Sequence, residues 1–313
     1  MRRSGSARAR SARVRPDLAA AASAVDRLAV LLDAGIAPPS AWGHVARGGS
    51  PVAMRVIDGA PAGHELAERI VEAAGSAPPT EQMAWRAVAA AWRVATEAGA
   101  PLAPTLRDLA GTLRALAQTA RDIEVALAAP VATARVVLGL PAVGIALAAL
   151  LGVDALAALF TTPPGWVCLA GGALLIVLGV RWIGRMVRAA SRLDPTPGLP
   201  LELLAIALRG GAGADRAIAL VTAALADAGL PSAGGAGAEV LAFSRAAGVP
   251  AAALLRAEAE ELRRRERAEA AARAARLETR LLAPLGLCVL PAFVLLGVAP
   301  VLLALLSSTV ASL

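Results

Sequence analysis

Two stretches of this chain are nearly free of charge, and they limit what it can fold into more than any motif does. From Val136 to Val180 the single charged residue is Asp154, and from Leu281 to Leu313 there is none. A helix crossing the hydrocarbon core of a bilayer takes about 20 apolar residues. The first stretch is about twice that length and is interrupted by Thr161-Thr162-Pro163-Pro164-Gly165. It predicts a helical hairpin over 136–183, with spans at 136–160 and 166–183 joined by a tight turn. The last stretch predicts a third span over 281–306 and a short tail, 307–313. A soluble helix keeps one polar face; these keep none. Pro141, Pro284, Pro291 and Pro300 fall in the predicted spans, where proline is better tolerated than in soluble helices. An acid inside a span is a functional candidate by default, but Asp154 lies close to the turn, where it reaches the interface.

Composition points the same way. Of 313 residues, 57% are apolar and 18% charged, against about 45–50% and about 25% in soluble domains. Alanine contributes much of the excess, and Lys, Asn and Tyr are absent, a bias that a GC-rich genome explains better than function does. Disorder is excluded for the body of the chain. Two cysteines, Cys168 and Cys288, exclude a disulfide scaffold. Without lysine there is no GxxxxGK phosphate loop and no Schiff base.

Every basic residue is Arg, and the arginines are placed unevenly. Arg121 and Arg135 precede the first predicted span; Arg181, Arg185, Arg188 and Arg192 follow the second; Arg273, Arg276 and Arg280 precede the third. The hairpin turn and the C-terminal tail have none. The positive-inside rule then sets the N-terminus and the 184–280 segment in the cytoplasm and the C-terminus outside. Arg2, Arg3, Arg8, Arg10, Arg13 and Arg15 crowd residues 1–16, which read as a disordered basic tail beside anionic membrane lipid. No aromatic residue interleaves with them, which argues against nucleic acid. Asp17, Asp26, Arg27 and Asp33 interrupt the apolar run that a signal peptide needs.

The cytoplasmic segments, 17–135 and 184–280, resemble one another. RLAVLLDAGIAPPSAWGHVA (27–46) aligns without a gap to LLAIALRGGAGADRAIALVT (203–222), setting Gly35 on Gly211. Each begins as an amphipathic helix, apolar at Leu18, Val25, Leu28, Leu32 and at Leu201, Leu204, Leu208. The glycine then caps it before a second helix starts. Further on, Gly99-Ala100-Pro101 and Gly248-Val249-Pro250 each open a long helix that runs into a span, with proline tolerated in the first turn. Leu140-Pro141-Ala142 lies 42 residues past Gly99 for its proline, and Leu290-Pro291-Ala292 lies 43 past Gly248. The ordered recurrence predicts a duplicated helical-bundle unit. The first copy is longer between its glycines; residues 229–237 read as the flexible linker of the second. The chain is thus predicted to be an all-α integral membrane protein, with three transmembrane helices and two repeated cytoplasmic helical units.

Chemistry-bearing motifs are missing. His44 and His64 have no ligand partners at metal spacing. Gly210-Gly211-Ala212-Gly213 follows a helix rather than a strand, unlike a nucleotide loop. No GxSxG is present. Between Arg256 and Arg280 eight arginines alternate with six glutamates, a pattern of solvated i,i+4 pairing that also presents charge to a partner.

With spans, repeat and orientation in hand, the chain resembles the type II secretion system F family, and within it the platform proteins of Tad-type (Flp) pilus machines. LLDAGIAPPSAW (31–42), EAGAPLAPTLRDLA (97–110), LPAVG (140–144) and RLETRLLAPLGLCVLPAFVLLGVAP (276–300) carry the resemblance, which covers about 20–310. It implies a non-enzymatic, cofactor-free platform in the plasma (inner) membrane. Its implied partners are a hexameric cytoplasmic secretion ATPase, pilin subunits, and a paired platform subunit or a second copy. The acidic turn Glu258-Glu260-Glu261, with Glu97 and Asp108, is the candidate face for the ATPase. The arginine tail and the short second unit depart from the family pattern. A small permease is the competing class, but it would need polar residues inside the spans; a membrane enzyme would need a polar cluster that the sequence does not offer.

Overall fold

The structure, a computed structural model, describes residues 4–58, 65–150, 163–190, 196–232, 235–300 and 302. Every element among them is helical. They fall into two compact units. Unit 1 comprises Met1–Arg121 and Leu193–Ala268; unit 2 comprises Asp122–Arg192 and Glu269–Leu313.

Unit 1 begins with α1 (Ser4–Asp33). The helix covers most of the stretch that the sequence reads as a disordered tail; alanine and arginine are both strong helix formers. From Leu18 onward α1 buries one stripe, Ala21, Ala22, Val25, Leu28 and Ala29, at the three-and-four spacing of a core-facing helix. Then come α2 (Pro38–Arg47), α3 (Pro51–Ile57), α4 (Glu65–Ala74) and α5 (Pro79–Ala98). Ser50 caps α3, its hydroxyl accepting from the Ala53 N–H at 3.3 Å. The central helix is α5, packed by α1, α4 and two later helices, α8 (Leu199–Arg209) and α9 (Ala214–Asp227). It buries Trp85 and Trp92 beside Trp42 of α2, with both ring pairs at 6.0 Å.

The segments 17–135 and 184–280, which the sequence presents as separate units, share this one hydrophobic core, and it runs from Leu18 to Ala259. The physical reason is that each segment is a set of one-sided helices; α8 alone buries seven apolar residues from Leu199 to Ala207, too many to cover within its own short segment. The linker read over 229–237 is shorter than expected, because α10 (Ala236–Ala247) begins inside it. Gly237 is a packing glycine there: a Cβ on it would lie 2.5 Å from the Leu204 side chain.

Two long helices continue from unit 1 into unit 2: α6 (Leu102–Leu150) and α11 (Ala251–Pro284). Unit 2 also holds α7 (Pro163–Ala190) and α12 (Leu290–Phe293). Turns of π-helix at Leu285–Val289 and Val294–Val298 flank α12. Their i→i−5 bonds, Leu290 N–H to Leu285 O and Ala299 N–H to Val294 O, absorb the extra residue that a helix inserts where proline removes a donor. Pro284 and Pro291 bracket the first of these turns.

Among the described residues two helices are long and apolar enough to cross a membrane, Pro163–Ala190 and the run Ala251–Val298. The first predicted span ends outside the described residues, since α6 is described to Leu150; Asp154 and the tail over 307–313 also lie outside them. The turn residues Pro163 to Gly165 form the first turn of α7, so the helix begins before Trp166.

Within unit 2 the two apolar helices pack antiparallel along a glycine seam. Gly165, Gly172 and Gly179 of α7 are buried at seven-residue spacing. A Cβ at Gly172 would lie 2.4 Å from Leu296 Cγ, and one at Gly179 would lie 3.3 Å from Cys288 Cβ. Small residues in the seam let the two backbones approach closely. The other face of α7 shows Val167, Leu174, Val177, Leu178 and Val180 to the outside. Its two exposed tryptophans, Trp166 and Trp182, stand about 24 Å apart along the helix, near the span between the aromatic belts of a bilayer.

Candidate functional site

The predicted cap positions are locally alike. Gly35, Gly99, Gly211 and Gly248 have φ of 80, 74, 92 and 66°, the left-handed region that favours glycine. Behind Gly35 and Gly211 the closing bonds repeat: Gly35 N–H to Leu32 O and Ile36 N–H to Leu31 O, then Gly211 N–H to Leu208 O and Ala212 N–H to Ala207 O, all at 3.0–3.1 Å. This is the paired-bond termination of a Schellman motif. Pro101 and Pro250 directly precede α6 and α11 and accept from the following turn, at Thr105 N–H and Leu254 N–H. The ends of α5 and α8 meet: a Cβ on Gly210 would lie 2.3 Å from the Ala98 carbonyl oxygen.

The candidate docking acids lie on three helices of unit 1. Asp108 of α6 takes Arg256 of α11 at 3.4 Å and Arg209 of α8 at 3.9 Å. Burial and the like charge of Arg256 push the Arg209 guanidinium below its ordinary value. On α11, Glu260 pairs with Arg263 at 3.1 Å, and Glu261 with Arg264 and Arg265, both at 2.9 Å. Those two guanidiniums hold the Glu261 carboxyl below its usual range. Glu258 has no ion pair among the described residues. Asp108 is thus joined to α11 through an arginine, whereas Glu97 belongs to a different feature.

That feature is a cavity of about 280 Å³ between α4, α5 and α9. Its floor is alanine, with Ala67, Ala89, Ala90 and Ala224 too short to close it. Its rim is acidic: Glu68, Glu72, Glu97 and Asp227 surround one cation, Arg93. Arg93 donates to Glu97 at 2.7 Å and also to Asp227, and the Glu97 bond holds it above its ordinary value. Glu72 pairs in turn with Arg69 at 3.0 Å, so three of the four rim carboxylates are matched by arginines of this chain.

The sequence reading missed a buried polar knot. Arg263 of α11 and Glu202 of α8 meet at 2.6 Å, with side chains 9% and 11% exposed. Arg263 also approaches Thr112 of α6 at 3.3 Å and Glu260 at 3.1 Å. The signal was a lone Glu in LPLELLAIAL (199–208), acidic where the helix is otherwise apolar. Among the described residues no group of His, Cys, Asp and Glu is arranged to hold a metal.

Residues 24–149 match the family model for the type II secretion system (T2SS), protein F. The matched stretch begins in α1 and ends in α6, and it is less than half of the chain. No curated protein and no solved structure matches.

Proposed function

We propose that the protein is a non-enzymatic inner-membrane platform of a type II secretion or type IV pilus machine, of the Tad type, that couples a cytoplasmic secretion ATPase to pilin export and assembly. The observation that carries this reading is the protein F match over 24–149, joined to helices apolar enough to cross a bilayer. A third span over 136–160, the cytoplasmic N-terminus and the extracytoplasmic C-terminus belong to the same proposal, supported by the arginine flanks. The duplicated unit is supported by the matching terminations at Gly35 and Gly211. Association with a paired platform subunit or a second copy completes it. A permease reading finds no support in the seam between α7 and the run after Pro284, which is glycine, leucine, cysteine and valine.

The ATPase face is proposed at Glu97, Asp108, Glu258, Glu260 and Glu261. Glu258 carries the most weight, because the others are already committed to arginines of this chain. The test is recruitment of the secretion ATPase by the full chain in nanodiscs, comparing wild type with Glu258→Lys and with the Glu258→Lys/Glu260→Lys/Glu261→Lys variant. Charge reversal is expected to slow encounter and weaken recruitment while insertion persists. Undiminished recruitment by the triple variant moves the face elsewhere; no recruitment by wild type removes the platform reading itself.

A further inference from the structure

Where α7 and α11 leave their apolar stretches, unit 2 contains a second cavity, of about 160 Å³. Three arginines of α11 line it, Arg273, Arg276 and Arg280. Its apolar side is Met186 and Ala190 of α7 with Leu277 of α11. Among the described residues no carboxylate lines it. The arginines before this point are balanced: Arg263, Arg264, Arg265 and Arg267 each pair with a glutamate of unit 1. Arg273 reaches back to Glu269 at 3.6 Å, whereas Arg276 and Arg280 have no ion pair among the described residues.

The place of this cluster decides what anion it meets. Arg280 is the last charged residue before the uncharged run that starts at Leu281, and on α7 the last apolar turn closes at Ile183. Both helices therefore reach the bilayer surface at the level of the cavity. Guanidinium matches phosphate oxygens bidentately, and basic pockets between membrane helices hold anionic headgroups. We infer that this cavity binds the phosphate headgroup of an anionic phospholipid, its arginines on the phosphate and its Met186–Leu277 side against the glycerol and first acyl carbons. The inference rests on α7 and α11 as membrane spans, not on any partner of the platform, so the ATPase experiment and this one fail separately.

The test is native mass spectrometry of the detergent-purified full chain with phosphatidylglycerol, phosphatidylcholine or inorganic phosphate added. Wild type is expected to retain phosphatidylglycerol over phosphatidylcholine. Arg276→Gln/Arg280→Gln is expected to lose about thirtyfold in retention, the worth of two arginines against anionic lipid. Arg264→Gln/Arg265→Gln removes the same charge elsewhere and should lose little. Met186→Trp fills the cavity with every charge intact and should also displace the lipid. The assignment is overturned by equal losses in the two double variants, by equal retention of both lipids, or by unchanged retention in Met186→Trp. Displacement of the lipid by inorganic phosphate would assign the cavity to a soluble anion and overturn it too.

Discussion

Arg263 and Glu202 are among the few charged side chains that unit 1 buries. A buried pair contributes little net stability, because desolvation offsets the attraction; removing one partner strands the other at about 3–5 kcal/mol. Glu202→Ala should therefore lower the unfolding midpoint of the detergent-solubilised chain sharply, with a cost near about 3 kcal/mol because Glu260 remains beside Arg263. Glu202→Leu/Arg263→Met should recover most of it; a double variant as weak as the single would show that the pair is not acting as a unit. The pair's contribution is to fix α11 against α8 and α6. Glu261 behaves differently, since it is only half-buried and its folded carboxyl is depressed by Arg264 and Arg265. A depressed acid stabilises above its unfolded pKa and loses that contribution as pH falls through the folded value. The midpoint difference between wild type and Glu261→Gln should be present above the usual glutamate range and be lost as pH falls below it, and salt should shrink it. A difference that grows on acidification would reverse the sign and reject the pairing.

At the scale of elements, the glycine seam of α7 sets the register of the two apolar helices. Gly179 faces Cys288, with a Cβ placed 3.3 Å from the cysteine's own Cβ, close to the separation a disulfide needs. Gly179→Cys should form a disulfide with Cys288 under mild oxidant in membranes, read by proteolysis and mass spectrometry, whereas Gly172→Cys should not. Cross-linking from position 172 instead would mean a slipped register. Gly172→Leu should cost about 1–3 kcal/mol through overpacking against Leu296, and Leu296→Ala should relieve part of it. The π turns around Pro284 and Pro291 leave this seam in place, since Cys288, Val289 and Leu296 stay buried through them.

At the scale of the whole molecule, the arginine asymmetry predicts topology. A reporter after Leu313 should read as extracytoplasmic and one inserted near Gly235 as cytoplasmic; reversal of both signals would sink the orientation. The all-helical class, the apolar helices and the glycine terminations could be read from the sequence because their causes are local. Charge-free length, three-and-four periodicity and the φ that glycine permits act within a turn or a single span. The sequence could not show that 17–135 and 184–280 share one core, because burial depends on which one-sided helices find each other. Nor could it show the Glu202–Arg263 pair, the acidic cavity at Glu97 or the arginine pocket at the end of α7. Each joins side chains from helices far apart in the chain, and only tertiary packing decides whether a charged residue meets solvent, a partner charge or none.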